Sequence, residues 1–165
     1  MNKLLLIIDL QKGFINDNTK NIPNAIEELL NKNIFNYVIF TKYINDEDSI
    51  FYKKLNYKGC MSLEDTNIVI DTKNYKIMEK RGYTALNDEL KDYIKENNIE
   101  EIYVCGLDTD ACVLKTSIDL FENDYNVKVI KDLCMSHSGI EMHNTAINIL
   151  SKMIGKDNVI KVEEI

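Results

Sequence analysis

Apolar residues in this chain fall into short unbroken runs, separated by stretches in which they recur every three or four positions. The run "KLLLIID" (3–9) shows no polar alternation, which predicts a strand covered on both faces. "PNAIEELLNK" (23–32) has helical spacing, with Pro23 in the first turn where a missing N–H does no harm. "NYVIFTKY" (36–43) predicts the second strand. The third comes from either "NIVID" (67–71) or "YKIMEK" (75–80), and pattern alone leaves the choice open. A helix follows at "NDELKDYIKENN" (87–98), a strand at "EIYVCG" (101–106) and a helix at "DACVLKTSIDLFEND" (110–124). "NVKVIKD" (126–132) predicts a further strand, "IEMHNTAINILSKMI" (140–154) the final helix and "NVIKV" (158–162) a closing strand.

Strands separated by helices of this length need right-handed crossover connections, and these build a parallel sheet. The predicted fold is α/β, a three-layer sandwich with a mostly parallel, doubly wound sheet of about six strands and helices on both faces. No repeat, low-complexity tract or Pro/Gly-rich linker breaks the pattern, so residues 1–165 are read as one domain. In such sheets, ligands sit beyond the carboxyl ends of the strands, where strand order reverses. Asp9, Lys80 (if "YKIMEK" is the third strand) and the loop before Cys112 all fall at or just past such ends.

Composition narrows the class of partner. A net charge of −7 argues against nucleic acid and anionic membranes, both of which call for basic patches. No apolar run approaches the ~20 residues of a membrane span. The opening "MNKLLLIIDLQ" is too short for a signal peptide and has no cleavage site, so a cytoplasmic location is expected. The four cysteines, at 60, 105, 112 and 134, form no CxxC pair, which argues against a disulfide framework or zinc ribbon. With His137 and His143 the only histidines, a metal site would lean on carboxylates, and no metal or organic cofactor is expected. "DLQKGF" after the first strand is not a glycine-rich turn, and no GxxxxGK[ST] stretch occurs, which sets dinucleotide and phosphate-loop folds aside.

Taken singly, each candidate has two readings. Cys112 is either a small buried hydrophobe or a nucleophile whose thiolate a helix N-terminus favours. Asp9 either caps the turn after its strand or serves a site. Lys80 alone reads as a solvated surface lysine.

Taken together they carry a pattern. "LLIIDLQKGF", "IMEKRGYTAL" and "VCGLDTDACVL" resemble, in order and spacing, the signature segments of the isochorismatase-like cysteine hydrolases. "FTKYIN" and "VIKDLCMS" are also similar to that family, so the resemblance covers nearly the whole chain. It implies a triad of Asp9, Lys80 and Cys112. Asp9 would take the thiol proton and return it to the departing amine, Lys80 would hold both partners by charge, and Cys112 would attack a carbonyl-type carbon. The resemblance also implies an oxyanion site from the backbone N–H groups of Asp108 and Cys112, and a non-prolyl cis peptide between Leu107 and Asp108.

Similar proteins place aromatic residues in the cleft where Phe14 and Tyr83 fall, with core packing as the alternative; Leu107 and Asp108 complete the candidate pocket. Relatives often have a small residue where this chain has Asp108. That carboxylate would select a cationic or amide-rich substrate, or simply bond the turn backbone. The metal-binding nicotinamidases carry an Asp and histidines after the second strand; here "TKYINDEDSIFYKK" has no histidine, and Asp46, Glu47 and Asp48 read as a solvated loop or cap. Isochorismatases that cleave a vinyl ether lack the nucleophilic cysteine. The resemblance thus implies a metal-free amidohydrolase acting on a small-molecule amide, and a homo-oligomer (dimer or tetramer), since relatives commonly pair. The alternatives are a metal-assisted nicotinamidase-type amidase using carboxylates, and a catalytically silent binding protein on the same fold. Cys105 is expected as strand filler, Cys134 as structural and Cys60 as a loop residue. His143 is expected to pack or cap, and the nine tyrosines are read as surface or interface composition.

Overall fold

A computed structural model describes residues 1–165. Six strands, β1 (Lys3–Ile8), β2 (Tyr37–Tyr43), β3 (Lys76–Lys80), β4 (Glu101–Leu107), β5 (Val127–Met135) and β6 (Val159–Ile160), form one sheet. Its order is β3-β2-β1-β4-β5-β6, and every pairing is parallel. The crossovers are α1 (Ile22–Asn31), the short α2 (Ile50–Leu55) and α3 (Leu63–Thr66), α4 (Asp88–Glu96), α5 (Leu114–Glu122) and α6 (Ile140–Met153), and they cover both sides of the sheet.

β1 lies at the centre, and Leu4 to Ile8 are fully buried, as its unbroken apolar run requires. The chain winds outward from β1 to β3 on one side and from β4 to β6 on the other, so strand order reverses between β1 and β4. That reversal opens a crevice above their carboxyl ends. The two strands approach closely there. Ile8 pairs with Gly106, whose φ is 115°, and a Cβ at that glycine would lie 2.2 Å from the Ile8 carbonyl oxygen. Only glycine fits both the backbone conformation and the space.

One open choice is settled and two expectations need correction. The third strand is "KIMEK", while "NIVID" contributes one antiparallel bridge, Ile68 to Gln11, held beside the chain leaving β1 by Val69 N–H to Leu10 O at 3.0 Å. Between β2 and β3, Ser49 and Ser62 each cap a short helix, accepting from Tyr52 N–H and Asp65 N–H. β6 is limited to Val159–Ile160, because Lys161 begins a tight 3₁₀ turn over Val162–Glu164. Finally, α5 does not begin at Asp110. Thr109–Val113 forms a π-helical turn that precedes it, and Cys112 sits in that turn.

Candidate active site

Three strand ends and the π-helical turn converge at the reversal. Asp9, the residue after β1, has a left-handed backbone (φ 45°) and is fully buried. Thr41 on β2 grips it twice: the Thr41 hydroxyl donates to Asp9 Oδ1 at 2.6 Å and accepts from Asp9 N–H at 3.0 Å. Gln11 locks the chain beyond. Its side-chain amide donates to the carbonyls of Tyr43 and Thr66 at 2.8 and 3.2 Å, and its carbonyl accepts from Tyr43 N–H at 2.7 Å.

Lys80, the last residue of β3, projects into the same place with its side chain almost wholly buried. Its ammonium lies 2.7 Å from Asp9 Oδ2 and 3.3 Å from Cys112 Sγ, and donates to the carbonyls of Gly82 and Tyr83 at 2.8 and 3.3 Å. Burial alone would depress a lysine, but the negative charge offered by Asp9 and Cys112 outweighs it and holds Lys80 above its ordinary pKa. Thr41 holds Oδ1, which leaves Oδ2 to the Lys80 ammonium.

For Cys112 the balance runs the other way. Burial and the neighbouring Asp9 charge push the thiol well above its ordinary pKa, against the opposing pull of Lys80. This corrects the expectation of a resting thiolate favoured by a helix N-terminus: desolvation of the sulfur is the larger effect. Asp9, Lys80 and Cys112 are therefore brought together as a buried ion pair beneath a protonated thiol.

Above them opens a cleft of about 240 Å³. Phe14 and Tyr83 line it, joined by Tyr43, Phe51 and Tyr57, with Cys112 at its base. The rings lock edge to face, with Phe51 against Tyr83 at 4.8 Å and against Tyr43 at 5.7 Å. Leu107 does not line the cleft; as a fully buried residue of β4 it belongs to the core. The Leu107–Asp108 peptide is cis, and the Asp108 backbone N–H has no acceptor within the chain.

The Asp108 side chain reaches across to the loop after β5. It accepts from His137 N–H at 2.9 Å and pairs through Oδ2 with His137 Nδ1. It is thus engaged, rather than bonded to its own turn or free for a cation. His143 meets Thr109, with Nδ1 2.8 Å from the hydroxyl, which braces the turn carrying Cys112 from α6. Cys60 lies in a turn, as expected of a loop residue, yet it is fully buried, and burial pushes it up to about 12. Cys105 and Cys134 are buried in the sheet.

The acidic loop is spent on the chain's own cations: Asp46 pairs with Arg81, and Asp48 with Lys53 at 3.1 Å. No three His, Cys, Asp or Glu side chains converge in ligand geometry. The residues present do not fit the metal centre of a nicotinamidase.

Sequence reasoning missed Thr41, Gln11, Tyr43, Phe51, Tyr57 and His137. Thr41 and Gln11 were findable, since each sits at or just past the end of a strand beside Asp9. The tyrosines are expected as surface or interface composition, but Tyr43 ends β2 and Tyr57 and Tyr83 lie in loops, and no local pattern says which way such a ring faces.

Comparison with known proteins adds to this geometry. A family model, the isochorismatase domain, matches residues 3–162. The Dictyostelium discoideum isochorismatase family protein 2A is 30% identical over 143 residues, which are 80% of this chain and 66% of that protein. Two further curated relatives, isochorismatase domain-containing protein 2 of Xenopus laevis and isochorismatase family protein 1A of Dictyostelium discoideum, are matched over about a third of their length, at 31% and 32% identity. An isochorismatase-like hydrolase from Alkaliphilus metalliredigens superposes with a TM-score of 0.87 at 18% identity, covering 99% of this chain and 97% of that one. N-carbamoylsarcosine amidase from Thermoplasma acidophilum superposes at 0.82 and 18% identity, covering 98% and 96%. These likenesses show the shared fold. With a single domain description running from β1 past β6, the chain belongs to the isochorismatase family.

Proposed function

We propose that this chain is a cysteine hydrolase that cleaves the C–N bond of a small amide or related compound, with Cys112 as nucleophile, Asp9 as proton carrier and Lys80 as the charge between them. One observation carries the reading: a buried ammonium stands 2.7 Å from a carboxylate and 3.3 Å from a thiol, beneath an open aromatic cleft. A fold held in common with an amidase is consistent with that chemistry.

The resting thiol keeps its proton, for the reasons of burial and charge given above. When a substrate carbonyl carbon seats over Sγ, the proton passes to Asp9 Oδ2, the oxygen that Thr41 does not hold. The sulfur lone pair forms the C–S bond, and the carbonyl π pair moves onto oxygen. The backbone N–H groups of Asp108 and Cys112 receive that oxyanion, and the unclaimed Asp108 N–H supports this role. Collapse restores C=O and breaks the C–N bond, and Asp9 returns its proton to the departing amine. A water then gives a proton to Asp9 and attacks the thioester; the C–S bond breaks and the sulfur recovers its proton. The sum is amide plus water to acid plus amine, with no change of oxidation state.

A screen for ammonia release over small amides, carbamoyl and ureido compounds, run with chelator present, tests the reading. Release is expected from the wild type and is expected to fall by at least about 10³-fold in Cys112→Ala. Release that survives in Cys112→Ala overturns it.

A further inference from the structure

The walls of the cleft are largely aromatic, with three tyrosines among them, and carry one charged pair at the rim. Asp108 is buried and pairs through Oδ2 with His137 Nδ1, while the His137 side chain is 49% exposed. The ring is held through Nδ1 and the residue's backbone is fixed on both sides. Its own backbone N–H donates to Asp108 Oδ1 at 2.9 Å, and its carbonyl accepts from the side-chain amides of Asn16 and Asn18 at 2.8 and 3.0 Å. With Nδ1 committed to the carboxylate, Nε2 is the nitrogen left for a ligand.

Charge bookkeeping then limits what can enter. The Asp108–His137 pair sums to zero with a protonated imidazole and to −1 with a neutral one. Below it, Lys80 is offset by Asp9. No other cationic side chain lines the cleft. In neither state of His137 does the cleft offer an uncompensated cation to a carboxylate.

We propose that the Asp108–His137 pair is the specificity-determining element of this site: it bars carboxylate-bearing substrates and admits uncharged amides, with His137 Nε2 available to a polar atom of the substrate remote from the scissile bond. Asp108 is the positioning member, acting through His137. The word substrate rests on the hydrolase reading above, but the charge filter does not, and it can be read on Cys112 directly.

The test compares alkylation of Cys112 by neutral iodoacetamide and anionic iodoacetate, each rate normalised to that of a small free thiol and located by peptide mass mapping. Wild type is expected to disfavour the anion by at least about tenfold beyond the free thiol, as like-charge and unpaired-charge costs predict. Asp108→Asn removes the carboxylate, which adds one positive charge to the pair in either state of His137, and is expected to shrink that ratio several-fold. His137→Gln leaves the carboxylate alone, fixes the pair at −1, and is expected to keep the ratio at least as wide as in wild type. A fold defect would slow or speed both reagents together and leave the ratio unmoved. A wild-type ratio equal to that of the free thiol, a ratio in folded Asp108→Asn no smaller than in wild type, or a ratio in folded His137→Gln smaller than in wild type overturns the proposal. On the substrate side, Asp108→Asn is expected to gain on carboxylate-bearing ureido acids relative to uncharged amides of the same size. Absence of Cys112-dependent hydrolysis, with the alkylation series as expected, would sink the hydrolase reading and leave the charge filter standing.

Discussion

The floor and the wall of the cleft are built on different terms. The floor is Asp9, Thr41, Lys80 and Cys112, delivered by three strand ends and one turn, nearly all of it sealed from solvent and cross-bonded. The wall is largely aromatic, drawn from α2, the chain after it and the loop after β3, and includes the half-exposed Tyr83. On the proposed function, the floor sets which bond is attacked and the wall sets what is held there. An element that is over-determined resists change, and one that is merely packed tolerates it.

Lys80→Met attacks the floor hardest. It strands a fully buried carboxylate, and breaking a buried ion pair of this kind costs about 3–5 kcal/mol. A large drop in thermal midpoint and loss of turnover are both expected; a variant as stable as wild type would show that the pair is not the keystone of the floor. Thr41→Val is the next test. It leaves the Asp9 N–H and Oδ1 unpaired in the core, at about 1–3 kcal/mol for such a buried group. Because it also loosens the proton carrier, kcat is expected to fall about 10–100-fold with KM little changed. Phe51→Ala probes the wall and should do the reverse. KM rises by about tenfold, in line with the loss of one apolar contact surface, while kcat and stability stay close to wild type. If Phe51→Ala instead suppresses kcat as strongly as Thr41→Val, floor and wall are one unit and the contrast fails.

The same contrast governs what the sequence disclosed. Strand ends are legible because an unbroken apolar run ending in Asp, as at Ile8–Asp9, leaves few places for the charge to go. Lys80 became readable only with the third strand placed, and Cys112 only through the long match around "GLDTDACVL". The wall was not legible. Ile50–Leu55 is a single helical run of six residues whose outward or inward face depends on tertiary packing, and nothing local distinguishes Phe51 from a surface aromatic. The Asp108–His137 pair joins residues 29 apart in the chain, from loops on either side of β5, and no periodicity connects them. The sulfur's protonation was also out of reach, since desolvation is a property of the folded surroundings and outweighed the local argument from helix position.

Gly106 lines no part of the cleft, yet the crevice above the sheet depends on it. Where β4 leans on β1, main chain meets main chain with no room for a side chain between. Redrawing the aromatic rim for a new ligand leaves that junction untouched, whereas a single methyl group at position 106 would press on the Ile8 carbonyl and force the two central strands to shift, and with them Asp9 and the turn that carries Cys112.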